Sequence, residues 1–154
     1  MPFKIDKSDP GYIEFENRLI NKIIELINAG CTTFISGMAT GFDIIAAECV
    51  LEAAELIRHT SVSLICAIPF IEQSKYYSAL WKEKYNRLLQ KCDNAILISD
   101  KYYKGCFMKR NIFMVDNSDI VLTFYDGKPG GTKNTVNYAE GLGRKIINLN
   151  DENI

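Results

Sequence analysis

The sequence holds 154 residues, 47% of them hydrophobic, which fits one domain able to bury about 70% of the surface its unfolded chain exposes. Eighteen basic side chains against 19 acidic ones leave a formal net charge of -1, so no chain-wide electrostatic footprint points to nucleic acid or to an anionic membrane. Five cysteines without a C-x-x-C pair (Cys31, Cys49, Cys66, Cys92 and Cys106) fit a reduced, cytosolic protein that needs neither a disulfide nor a metal to fold, with Cys49 and Cys66 as small core residues.

No apolar run resembling a leader follows Met1, so the expected setting is the cytoplasm. Ser8-Asp9-Pro10 offers a capping side chain followed by proline at the first turn, which predicts a helix running to about Ala29. Tyr12, Phe15, Leu19, Ile20, Ile23, Ile24 and Ile27 recur at steps of three and four and mark its buried stripe. Residues 31–36 are short, β-branched and aromatic, the pattern of a first strand. Residues 37–41 form a glycine-flanked turn, and a second helix follows from Phe42 to about His59, its Ala46 and Ala47 allowing close approach to a sheet. The single histidine, His59, fits a helix end rather than a catalytic or metal-binding role.

Residues 62–68 are apolar apart from Ser63, as in a parallel strand covered on both faces. Pro69 closes the strand, and the longest apolar run, residues 62–71, is too short to span a bilayer. A helix is expected over 73–91, a strand over 95–98, a helix over 107–117, a strand over 119–124, a helix over 132–143 and a last strand over 145–149. Five alternations of strand and helix predict one α/β domain over 1–154. The expected architecture is Rossmann-like and three-layered (α/β/α), with a mainly parallel sheet of about five strands.

In such a sheet, ligands collect beyond the carboxyl ends of the strands. Two glycine loops occupy that position. In the first, Ser36-Gly37-Met38-Ala39-Thr40-Gly41, followed by Asp43, Gly37 and Gly41 can take positive φ and Ser36 and Thr40 can donate hydroxyl hydrogen bonds. Asp43 could cap the helix or accept a ribose hydroxyl. The spacing is neither that of a P-loop nor that of the dinucleotide fingerprint. In the second loop, residues 126–135, Gly130 and Gly131 leave room for a phosphate, and Thr132 and Thr135 can contact it or cap the helix. Between the loops in sequence lie Arg110, able to clamp a phosphate or to stay solvated, and Asn111, able to read a base or to hold a loop. Phe70 is a candidate for base stacking or for a lid on the core. No Ser/His/Asp or Cys/His set and no metal-ligand spacing can be assembled.

These residues also carry a family resemblance. Residues 34–43, then Ala67-Ile68-Pro69-Phe70 with Gln73, then Arg110-Asn111 with Met114-Val115-Asp116, then Asp126-Gly127 with Gly130-Gly131-Thr132, Thr135-Val136 and Tyr138-Ala139, resemble in order the YpsA-like branch of the SLOG superfamily. That superfamily also holds the LOG phosphoribohydrolases and the Smf/DprA DNA-processing proteins. The resemblance implies a Rossmann-like fold and a site for a nucleotide-related, ADP-ribose-like ligand between the two glycine loops, with no defined reaction.

The sequence departs from the superfamily in three places. The LOG catalytic Glu after the Pro-Gly-Gly loop is absent, since residues 129–137 hold no acid, which argues against phosphoribohydrolase activity. The aromatic after the family's glutamine, commonly Trp, is Tyr77, with Trp81 one turn later. Members of the branch begin with a strand ending Phe-Thr-Gly-His-Arg-Pro, and this sequence starts downstream of it. A sheet without that strand should carry an unpaired gap or edge, so a homo-oligomer is the expected partner state.

The leading expectation is a nucleotide-type ligand-binding or sensing domain. A hydrolase would need Asp43, Glu48 or Asp126 as acid or base. A DprA-like nucleic-acid binder would need the patch formed by Lys101, Lys104, Lys109 and Arg110, and the balanced charge counts against it.

Overall fold

The computed structural model describes residues 1–151. Its elements alternate as expected: α1 (Pro10–Asn28), β1 (Thr33–Ser36), α2 (Phe42–Leu56), β2 (Ser63–Ile68), α3 (Ala79–Lys91), β3 (Asn94–Leu97), α4 (Cys106–Asp116), β4 (Ile120–Thr123), α5 (Gly131–Gly141) and β5 (Lys145–Asn148). Every strand pairing is parallel, and the architecture is Rossmann-like α/β.

The start of α1 follows from its sequence. The Asp9 carboxylate accepts the Gly11 N–H at 2.9 Å and the Lys4 N–H at 2.9 Å, while Pro10 occupies a first-turn position where no N–H is needed. The stripe of α1 buries Tyr12, Phe15, Leu19, Ile20, Ile23, Leu26 and Ile27. Helix α1 lies on α2, whose small Ala47 and Ala53 are fully enclosed, and α2 in turn covers β1 and β2 and meets α3. On the other side of the molecule α4 packs with α5, α4 also touching β2 and α5 touching β5. Cys49 and Cys66 are buried among apolar neighbours, and burial pushes both thiols above their ordinary range, which removes the thiolate that reactivity requires.

Two expectations are corrected. The strands do not form one sheet of about five: β1-β2-β3 make one sheet and β4-β5 another, with no ladder between β1 and β4. Helix α3 begins at Ala79 rather than at residue 73, because residues 71–76 run as successive turns that place Gln73 and Tyr77 against the backbone of the first glycine loop. His59 is exposed in the turn just beyond α2. No helix among the described residues is long and apolar enough to cross a membrane.

Candidate functional site

The first glycine loop is fastened from three directions. The Gly37 carbonyl accepts a hydrogen bond from Gln73 Nε2 at 3.0 Å and a second from Arg110 Nη1. The Met38 carbonyl accepts from the Tyr77 hydroxyl at 3.0 Å. Ser36 Oγ donates to the Asp43 carbonyl at 3.0 Å and accepts the Met38 N–H at 3.2 Å. These bonds hold Met38, wholly buried, at a φ of 61°, a left-handed conformation that costs a non-glycine residue about 1–2 kcal/mol.

Of the two glycines able to take positive φ, Gly41 does so at 92°, whereas beside Gly37 the left-handed residue is Met38. Gly37 is needed for another reason: a Cβ there would sit 2.8 Å from Asp43 Oδ2 and 2.9 Å from the Arg110 Cζ and Nε atoms. The missing side chain lets a carboxylate and a guanidinium close over the backbone.

Asp43 lies in the first turn of α2, where negative charge suits the helix dipole. Its Oδ2 accepts the Ala39 N–H at 3.3 Å, a bond back to the first loop, and no side chain caps the start of α2. Burial raises the Asp43 pKa, and the Arg110 charge and the Ala39 N–H pull it part of the way back. Arg110, 4% exposed, also donates from Nε to Asn111 Oδ1 at 2.8 Å and sits 5.7 Å from the centre of the Phe107 ring. Burial depresses the guanidinium pKa and Asp43 supports it. Arg110 is therefore a brace on the first loop whose two bonds leave Nη2 uncommitted.

The second loop contrasts with this. Asp126, Gly127, Lys128, Pro129, Gly130, Gly131 and Thr132 are all exposed. Asp126 bonds only locally, its Oδ1 accepting the Lys128 N–H at 3.0 Å and its Oδ2 lying 3.4 Å from the Lys128 ammonium. Those contacts hold its carboxyl below the usual range, the backbone N–H contributing most. Gly130 sits at φ 153° and ψ -171°, a region of backbone space that essentially only glycine occupies. Thr135 Oγ1 donates to the Gly131 carbonyl at 2.9 Å.

Both loops open on one crevice of about 1020 Å³. From the first side it is lined by Ala39, Thr40, Gly41 and Asp43, and from the second by Gly130, Gly131, Thr132 and Thr135. Arg110 and Asn111 stand between them. Ser36 and Gly37 line an adjoining cavity of about 380 Å³, which Asp43 and Thr135 share, whereas Met38 is packed in the core.

Phe107, which no sequence motif marks, lines the crevice from the first turn of α4 and belongs to an aromatic cluster with Phe70 and Tyr102. Phe70 stands behind Phe107 at 5.9 Å between ring centres. Glu48, a candidate acid, is instead tied to Lys84 at 3.0 Å and Arg87 at 2.8 Å. Burial of Arg110 takes it out of the surface patch that a nucleic-acid binder would use, leaving Lys101, Lys104 and Lys109 exposed. No group of three or more His, Cys, Asp or Glu among the described residues could hold a metal ion.

Comparison with known proteins places this arrangement among relatives. The model of the YspA SLOG family (YpsA) matches residues 3–145. An uncharacterized SPbeta prophage-derived protein, YoqJ, of Bacillus subtilis strain 168 is 34% identical over 159 residues, covering 94% of this chain and 92% of its own. A UPF0398 protein of Bacillus cereus strain ATCC 14579 is 29% identical, and one of Bacillus thuringiensis strain Al Hakam is 28% identical, each over 92% of this chain and 79% of the relative.

Proposed function

The chain belongs to the YspA SLOG family, and from that premise we propose that it is a cytoplasmic binding or sensing domain for a nucleotide-related ligand of the ADP-ribose type. The observation that carries the reading is the convergence of both glycine loops on one crevice. There the N-termini of α2 and α5 favour an anion, because the first N–H groups of a helix have no intrahelical acceptor and the helix dipole adds positive charge. The crevice is large enough for a nucleotide, since small-molecule pockets run to about 300–1,000 Å³. Arg110 supplies a cation among its lining residues, and Phe107 supplies a ring against which a base can stack. No residue in this arrangement needs to react, and a sensor requires only that binding change the conformation of the exposed loop.

The test is a thermal-shift panel of AMP, ADP, ATP, NAD, ADP-ribose and cyclic nucleotides. A ligand present at about a hundred times its dissociation constant adds roughly 2.7 kcal/mol, which raises Tm by about 5–10 °C in a domain of this size. A shift from one ligand class, lost in Gly131→Val, supports the reading. Silence across the panel overturns it.

A hydrolytic reading keeps one observation in its favour. Asp43 is a carboxyl with a raised pKa at the edge of the crevice, the property a general acid needs. Release of base or ribose phosphate from any nucleotide of the panel, abolished by Asp43→Asn, would establish it.

A further inference from the structure

Strand β3 is not built like an edge that faces water. It is the last strand of its sheet, paired with β2 on one side and with nothing on the other among the described residues. Proteins blunt such an edge with lysine, proline, a bulge or a covering element. The run Asn94-Ala95-Ile96-Leu97-Ile98 carries neither charge nor proline, and its register with β2 is unbroken from Asn94 to Leu97. Its substantial packing among the described elements is against β2, whereas α2 covers β1 and β2 and α5 covers β5. Asn94, Ala95 and Leu97 are exposed, Leu97 at 44%. Apolar side chains therefore stand in the open beside a row of free backbone donors and acceptors.

The outer edge of β5 differs. Lys145 is exposed at its start, with Arg144 just before it, and α5 packs on the strand. That difference selects the occupant of the β3 edge. Pairing β3 with β5 of another copy would be heterologous and would propagate into a filament, and the lysine opposes it. Pairing β3 with another β3 is isologous and closes at two copies.

We propose that β3 pairs with β3 of a second copy, antiparallel about a two-fold axis through Ile96, so that two three-stranded sheets become one. The register follows from the backbone. In a parallel ladder alternate residues turn their N–H and C=O groups to the same neighbour. The Asp93 N–H donates to the Leu64 carbonyl at 2.9 Å, so Ala95 and Leu97 also face β2, and Asn94 and Ile96 face outward. An axis through Ile96 bonds the two Ile96 residues to each other and sets Ala95 opposite Leu97 of the second copy, small beside large, on both sides of the axis. An axis one residue earlier would instead set Leu97 opposite the second copy's Asp93.

Charge complementarity favours the same register. Asp93 and Lys101, both exposed, flank β3 on opposite sides. With the axis at Ile96 each Asp93 stands diagonal to Lys101 of the other copy, within reach of a long side chain. No residue of β3 lines the crevice, so the inference does not depend on the crevice ligand.

The test is sedimentation equilibrium of the full chain, with amide hydrogen exchange followed over the same concentrations. The expected result is a reversible rise from one chain mass to two across the micromolar range. Exchange at Asn94 and Ile96 should slow roughly tenfold or more as their amides gain acceptors, while exchange at 145–148 stays unchanged. Ala95→Lys and Leu97→Glu should each weaken the dimer roughly tenfold or more, by setting a charge against an apolar side chain and near its own copy across the axis. The double variant should recover most of that loss, because each new charge then faces its opposite across the axis.

If a single variant does not fold, the exchange pattern of the unmodified chain still decides the matter. A chain that stays monomeric at hundreds of micromolar overturns the proposal, and so does growth beyond two copies. A dimer whose protected amides lie outside β3 overturns it as well. So does a double variant that associates no better than the single ones, since the register would then be wrong.

Discussion

The two glycine loops occupy equivalent places, each between a parallel strand and the helix after it, yet they are built on opposite plans. The first is fixed by side chains from distant parts of the chain: Gln73 and Tyr77, 36 and 39 residues from the carbonyls they bond, and Arg110, 73 residues from Gly37. Among the described residues the second makes near-neighbour bonds alone, and it is exposed throughout 126–132. The comparison teaches how a crevice can be both accurate and adaptable. One wall is fixed by long-range bonds, which under the proposed function would lower the ordering cost of binding, and the other is exposed and held by local bonds.

The largest effect should come from cutting the brace. Arg110→Leu removes the cation that faces Asp43 and one of the two donors to the Gly37 carbonyl. Removing a charged donor from buried polar groups costs about 1–3 kcal/mol, and urea denaturation should show a loss at the upper end of that range. Gly37→Ala places a Cβ under 3 Å from the Asp43 and Arg110 side chains. Overpacking of this kind costs about 1–3 kcal/mol, with a matching drop in the urea midpoint.

A subtler effect separates the walls by pH. The Asp43 pKa is raised in the folded state, so the folded protein holds this proton more tightly than the unfolded chain does. The stability it contributes is fully present below the unfolded value of about 4 and is lost as pH rises through the folded value. The stability of the unmodified protein should therefore fall relative to Asp43→Asn across that window. Asp126, in the second loop, is fully exposed and its pKa is lowered, so Asp126→Asn should give the opposite sign: the unmodified protein gains on the variant as pH rises. Urea midpoints measured for all three proteins between pH 3 and 7 would check both signs.

How much of this could be read from the sequence depends on how far each interaction reaches. The stripe of α1, its Asp9 cap and the glycine turns are local patterns, and they predict α1 to within a residue at its end and both loops in place. The late start of α3 could not be read locally, because what holds residues 71–76 in turns and sets Gln73 and Tyr77 in place is a set of bonds to a loop more than thirty residues earlier. The division between β1 and β4 was equally hidden. A strand buried on both faces has the same composition whether one edge or both are paired, and only the expectation of an unpaired gap pointed toward it. Arg110 was legible as a crevice residue but not as a brace, since a clamp and a brace need the same guanidinium. Of the two glycines read as able to take positive φ, Gly41 does so and Gly37 does not, and what crowds Gly37 is the pair of side chains from Asp43 and Arg110.

The smallest expected effect on stability is also the one that isolates the second wall. Gly131 is exposed, its φ lies outside the left-handed region, and a Cβ there meets nothing within 4 Å. Gly131→Val should therefore shift the urea midpoint by no more than a surface substitution does, about 0.5 kcal/mol. The added side chain stands at the first position of α5 on the crevice side, where an anion approaching the helix N-terminus would need room. If the second wall closes on the ligand, this variant keeps the fold and loses the nucleotide-dependent rise in Tm. If it keeps both, the anion is held by the braced loop alone, and the exposed loop has some other use. The contrast with Arg110→Leu makes the result readable, because that variant should lose stability and binding together. A substitution that removes one without the other assigns recognition to the exposed wall.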